Sequence, residues 1–200
     1  MQLFNRLLSA FDVIPTLWPA VMGGQYLRYA LWKRRFAHCG GGGMVRLGDR
    51  LVITGFPAIS IGEGTSIMSG SYLYAHGNSK LVIGSHCSFN HNVLLGAAGG
   101  EINIGNDVLI GPNVVLRAAD HEFADVDVPI RCQGHRAGRI VIGDDVWLAA
   151  NVVVTSGVTI GTGCVVGAGS VVTRDLPPMM VCVGNPARPI RSRLPESPEQ

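Results

Sequence analysis

From Ile142 onward an aliphatic residue returns at every sixth position: Ile142, Leu148, Val154, Ile160, Val166 and Val172. Two places earlier in each unit stands a small or β-branched residue, as at Val146, Val152, Val158, Cys164 and Ser170. Shorter runs of the same kind lie upstream, as Leu47, Ile53, Ile59, then Ile61, Ile67, Leu73, then Ile83, Phe89, Leu95, then Ile104, Ile110, Leu116. The slips of phase between them mark loops or bulges. A period of six suits neither the 3.6 of a helix nor a long strict alternation, but it suits a short strand and a turn, repeated, with two inward positions per unit. Three units make one triangular coil. Coils stacked at about 4.8 Å would pair their strands with the coils on either side and fill a central column with the aliphatic side chains. The chain therefore reads as all-β, a parallel β-helix of about five coils between Leu47 and Pro177 that needs a cap at its end. The period does not give the hand of the coil.

Composition agrees with many tight turns, since 27 of 200 residues are glycine against a background of about 7%. A net charge of +2 offers no strong basic field for nucleic acid. The five cysteines are an odd number without a CxxC pair, so they read as reduced thiols in a cytoplasmic protein. Leu3 to Met22 is apolar, but Asn5, Arg6, Asp12, Pro15 and Pro19 interrupt it. It reads neither as a membrane span nor as a signal peptide. Residues 1–44 are expected to form a helical cap. The following Lys33, Arg34 and Arg35 suit peripheral contact of residues 1–35 with an anionic membrane at its inner face. Residues 45–193 form the repeat domain and 194–200 a flexible tail.

The repeat is interrupted once at length. Between Leu116 and Ile142 lie 142 − 116 = 26 positions where six would suffice. This inserted loop, residues 117–141, holds Asp120-His121-Glu122-Phe123 and then Pro129-Ile130-Arg131-Cys132-Gln133-Gly134. A long irregular loop on a regular scaffold is a common place for chemistry.

The run IVIGDDVWLAANVVVTSGVTIGTGCVVGAGSVVTRDLPPMMVCVGNPARPIRSR, from Ile140 to Arg193, resembles the C-terminal half of the hexapeptide-repeat acetyltransferases. The likeness is to the maltose and galactoside acetyltransferases and to the O-acetyltransferases of bacterial polysaccharide synthesis. It implies a left-handed β-helix, acetyl-CoA as co-substrate, no metal, a homotrimer with sites between subunits, and a sugar or glycan hydroxyl as acceptor. His121 matches the family's catalytic histidine. Imidazole, with an ordinary pKa of about 6.5, can take a hydroxyl proton near neutrality as the hydroxyl attacks a thioester. Asp120 is its candidate orienting partner, and the backbone amide of Ala150 the expected oxyanion donor. By motif match Ala150 and Ala168 lie along the pantetheine arm, Thr173 and Arg174 near the nucleotide end, and Arg188 and Arg191 at the phosphates. His135, Asn90 and Asn92 are candidates for the acceptor, although either asparagine could instead form a ladder in the turns. Where the family has glycine the chain has Ala149, which should leave backbone donors available. Trp147 reads as packing a corner.

Two other functions compete with this reading. The γ-class carbonic anhydrases share the solenoid and bind zinc through three histidines, and His86, His91 and His121 would be the trio here. Their order along the chain does not match that family, which has no need of the GNPAR tail. A non-catalytic scaffold would need neither the DHEF loop nor that tail.

Overall fold

The computed structural model describes residues 17–19 and 22–195. Expectations for residues 1–16, and for most of the tail, lie outside the described residues. Three parallel sheets of six, eight and six strands form the faces of a triangular prism of six coils. The first face starts at His38–Cys39, the second at Arg46–Leu47 and the third at Val52–Thr54. The solenoid therefore begins earlier than Leu47, and its first strand falls in the stretch read as cap. That strand was hidden because His38 and Cys39 carry no repeat pattern, yet they pair in parallel with Ser60 and Ile61.

The six-residue period is realised as two-residue strands such as Trp147–Leu148 and Val153–Val154, joined by four-residue corners. Leu47, Ile59, Ile61, Leu73, Phe89, Leu95, Leu116, Leu148, Val154, Ile160, Val166 and Val172 are wholly buried. Val146, Val152, Val158, Cys164 and Ser170 fill the second inward position. Registry between coils is strict: Leu109 pairs with Ser88 on one side and Trp147 on the other. From Leu47 onward the phase slips fall on the edge between the third and first faces. There the step between inward aliphatics is six from Val154 to Ile160, nine from Leu95 to Ile104, ten from Leu73 to Ile83 and 26 from Leu116 to Ile142. From Leu47 onward the other two edges keep the period, each four-residue corner having one residue in the left-handed region. Asp107 and Asp145 serve on the first–second edge, and Asn92, Asn113 and Asn151 on the second–third edge, at φ between 54° and 59°. Short polar side chains tolerate that conformation best after glycine.

At the N-terminal end a helix, α1 (Gly24–Trp32), lies against the first coil. Trp32 and Phe36 meet Phe56 edge-on, with centroids at 5.9 and 4.8 Å. Arg28 is fully buried; its Nε donates to the Leu47 carbonyl at 2.7 Å, one of the carbonyls that an open coil end would leave unpaired. Burial lowers the pKa of its guanidinium, against the field of Asp49. The outer side of the helix is apolar, with Tyr26, Leu27 and Leu31 exposed. Among the described residues no helix is long and apolar enough to cross a membrane. At the other end Met180–Gly184 joins the second face in parallel, and Ala187–Ser192 then turns back antiparallel to it, ending the parallel ladder.

The outer surfaces of the faces differ. On the third face the first outward position of every strand is apolar, in one column: Val52, Tyr72, Leu94, Val115, Val153 and Val171.

Because Leu148 is wholly buried between coils on both sides, Leu148→Ala is expected to cost about 2–5 kcal/mol. Urea unfolding checks this; the midpoint should fall with little change in slope.

Candidate active site

The long insertion leaves the third face after Arg117 and rejoins the first face at Arg139. Its two ends pair as an antiparallel hairpin in which Ala119, Asp120 and His121 face Ala137, Arg136 and His135. The base of the hairpin is clamped, as the Gly138 N–H donates to the Ala118 carbonyl at 2.8 Å and the Glu101 N–H to the Gly138 carbonyl at 3.0 Å. A Cβ on Gly138 would collide with the Ser156 hydroxyl of the next coil. This glycine lets the loop return flush with the prism. Beyond the hairpin a short helix, α2 (Ile130–Gln133), brings Gln133 back across the loop. Its Nε2 donates to the Asp125 and Val128 carbonyls at 2.8 and 2.6 Å, and its Oε1 accepts from the Asp125 N–H at 3.1 Å. Gln133 staples the loop, a role that no local sequence pattern announces.

The hairpin sets His121 directly opposite His135, their rings 4.0 Å apart and tilted by 40°. Both are exposed. The two histidines the sequence singled out in this loop are thus one unit, joined by strand register rather than sequence proximity. Asp120 is different. As a strand neighbour of His121 its side chain points to the opposite side of the hairpin, where it faces Arg136.

Ala150 and Ala168 occupy the same corner position in successive coils, since 168 − 150 = 18 and Leu148 is in register with Val166. They lie on the second–third edge. Among the described residues neither amide N–H has an intramolecular acceptor, while the neighbouring Ala149 N–H donates to Val166 and the Asn151 N–H to Pro112. The departure from glycine at Ala149 leaves the Ala150 donor available, as expected. One coil back the same position is Pro112, which has no N–H to offer. The column ends toward Arg188, which pairs with Val183 in the terminal hairpin, whereas Arg191 pairs with Val181, further along the second face. Thr173 and Arg174 are exposed on the third–first edge, following Val171–Val172. The predicted cofactor residues thus fall on two edges and at the end of the second face, not in one groove of a single chain.

Asn92 belongs to a ladder, its Nδ2 donating to Asn113 Oδ1 at 3.3 Å, and Asn113 to Asn151 at 3.1 Å. Asn90 accepts from the His91 N–H at 2.7 Å. Trp147 does not pack a corner but stands on the outer second face, 48% exposed. Its place in the strand makes it outward because Leu148 must point inward. The zinc trio is not brought together: His86 and His91 stand at opposite ends of the Ser88–Phe89 strand, and His121 is on the third edge. Among the described residues no group of three His, Cys, Asp or Glu could hold a metal ion.

Residues 139–174 match the model of the bacterial transferase hexapeptide, a set of six repeats. A solved hexapeptide-repeat-containing acetyltransferase of Vibrio cholerae O1 biovar eltor, in complex with acetyl coenzyme A, is 33% identical. The match covers 85% of this chain and 78% of that one, with a TM-score of 0.61. The chain belongs to the hexapeptide-repeat acetyltransferases. Among curated members, the galactoside O-acetyltransferase of Escherichia coli is 36% identical over 66% of this chain and 63% of its own length. The putative colanic acid biosynthesis acetyltransferase WcaF of Escherichia coli is 42% identical over 58% of this chain and 60% of its own. The chain spans about two fifths to two thirds of the length of the curated relatives it matches. Within this chain the matched segment 139–174 is the stretch where three corners per coil keep the period without a slip. It carries the corner amides of Ala150 and Ala168.

Proposed function

We propose that this chain is an acetyl-CoA-dependent O-acetyltransferase acting on a sugar or glycan hydroxyl, with sites shared between the copies of a homotrimer. One observation carries the reading: the two halves of the chemistry stand on the two edges of one apolar face. The third–first edge bears the hairpin of His121 and His135. The second–third edge bears the free amides of Ala150 and Ala168 and, at its end, Arg188. A single prism keeps them apart. When three copies turn their third faces, with Val52, Tyr72, Leu94, Val115, Val153 and Val171, toward a common axis, the His121 edge of each chain meets the Ala150 edge of the next. Such a head-to-tail contact closes into a ring and buries the apolar column.

In that cleft the His121 imidazole takes the proton of the acceptor hydroxyl as its oxygen bonds to the thioester carbonyl carbon. The Ala150 N–H holds the tetrahedral oxyanion. Its collapse breaks the carbon–sulfur bond, and the CoA sulfur leaves with the proton from His121. The His135 ring backs His121 and borders the acceptor side, with Asn90 and Asn92 on the neighbouring edge. Asp120 acts through the hairpin, by facing Arg136, rather than on the imidazole of its own chain. Arg174, Thr173, Arg188 and Arg191 supply donors and cations for the nucleotide and its phosphates. The five unpaired cysteines suit a cytoplasmic setting. The exposed apolar side of α1, followed by exposed Lys33 and Arg34, suits contact with the inner face of a membrane.

Acetyl-CoA should bind saturably in calorimetric titration. His121→Ala is expected to lower kcat by about 10² to 10⁴ with its acetyl-CoA affinity kept. Retained turnover would move the base to His135. Arg188→Ala is expected to weaken acetyl-CoA about tenfold with kcat at saturation kept; an unchanged Kd would remove its role.

A further inference from the structure

The second outward position of the third face carries a feature that acetyl transfer does not by itself require. Tyr74, Gly96 and Arg117 are in register on successive coils. Gly96 is absent from the residues with positive φ, so its backbone does not require glycine. Its surroundings do: a Cβ there would strike the phenol of Tyr74. The missing side chain lets Tyr74 lie across one whole coil and accept a hydrogen bond from the Arg117 guanidinium through its hydroxyl. The guanidinium carbon stands 5.6 Å from the ring centroid. Tyr74 in turn stacks on His76, centroids 6.2 Å apart at 27°, and His76 is held by the Thr54 hydroxyl at 3.0 Å.

Arg117 is half-buried and has no carboxylate within ion-pair distance among the described residues. Other arginines of the prism do: Arg139 with Glu101 at 3.3 Å and Arg193 with Asp145 at 3.1 Å. A guanidinium has five N–H donors, and a phenol oxygen takes only one direction of them. The position completes the case. Arg117 is the last strand residue before the catalytic hairpin, four residues from His121, with buried Ala118 and Ala119 between them. Four residues span at most about 14 Å, the scale of one or two sugar rings.

We propose that Arg117, braced by Tyr74 over Gly96, is a specificity determinant that selects an acceptor bearing an oxyanion, a carboxylate or phosphate on the sugar to be acetylated or on its neighbour. This rests on the reading of the chain as a sugar acetyltransferase. A planar fork of donors beside a desolvating aromatic ring suits either oxyanion, each by paired, charge-assisted hydrogen bonds. The Tyr74 ring, itself buried against Tyr72 and His76, fixes the fork at low entropic cost.

The test uses the full chain with CoA present and three matched probes, methyl galactoside, methyl galacturonide and galactose 1-phosphate, with affinities read by ligand-observed NMR titration. At least one anionic probe should bind about tenfold or more tightly than the neutral one, and added salt should reduce the difference. Which anion wins separates a uronate from a phosphate acceptor. Arg117→Gln should abolish the preference and Tyr74→Phe should weaken it. The neutral probe should bind both variants as it binds wild type, and acetyl-CoA affinity by calorimetry should be unchanged. Equal binding of all three probes, no binding of any, or a preference that survives Arg117→Gln overturns the proposal. Failure of the wild-type chain to bind acetyl-CoA would instead overturn the reading beneath it.

Discussion

The strands are two to four residues long over most of the prism, and a β-strand bonds its backbone to its neighbours and never to itself. Each N–H and C=O must find a partner in the coil above or below, and the register that achieves this is the constraint from which the rest of the structure follows. Leu109 must sit between Ser88 and Trp147, and once it does, Ile110 stacks inward on Phe89 and Leu148. Burial and hydrogen bonding then reinforce each other coil by coil. An added residue can be accommodated only where a corner lets the chain bulge without moving the next strand. From Leu47 onward the irregularities, from the one at 55–58 to the loop at 118–138, are gathered on one edge.

The same constraint explains how a rigid solenoid can hold chemistry. Equivalent corners of successive coils are stacked, so a property given to one corner position becomes a column. The second–third edge shows this plainly, with His91, Pro112, Ala150 and Ala168 at one position. Within that column the two coils of the matched segment 139–174 carry alanine, at Ala150 and Ala168. The third–first edge, relieved of the period, could take a hairpin. What separates the two edges is the third face, whose outward column is apolar throughout. A face of that kind is poorly suited to water and well suited to copies of itself, and it lies between the two parts that the chemistry needs together.

Much of this was legible in the sequence. The six-residue recurrence from Ile142 to Val172 announced the inward positions correctly, because a strand of two residues leaves no freedom over which side chain points in. The loop was legible as a break in that recurrence; His121 stands near its start, and the role proposed for it came with the family resemblance. The pairing of His121 with His135 was not, since it depends on the register of a hairpin closed by Gly138 and stapled by Gln133. The outward stance of Trp147 and the early start at His38 were missed for the same reason: each follows from pairing with a neighbouring coil, not from local pattern. Asn92 showed both its possible uses in the sequence, and the stacking of Asn92, Asn113 and Asn151 places its amide in the ladder. The hand of the coil is not contained in a period of six and came only with the family resemblance.

The central claim is that one catalytic site is made from two edges belonging to two chains, and subunit complementation tests it most directly. His121→Ala removes the proposed base, and Ala150→Pro removes the proposed oxyanion donor at a corner that already accepts proline in the equivalent Pro112. Each variant alone should be nearly inactive. Unfolded together in equal amounts and reassembled, they should recover about one quarter of wild-type activity, because random assembly in a closed three-membered ring gives that share of interfaces an intact His121 facing an intact Ala150. No recovery, with mixed assemblies shown to form, would mean that base and donor act within one chain and would contradict the account.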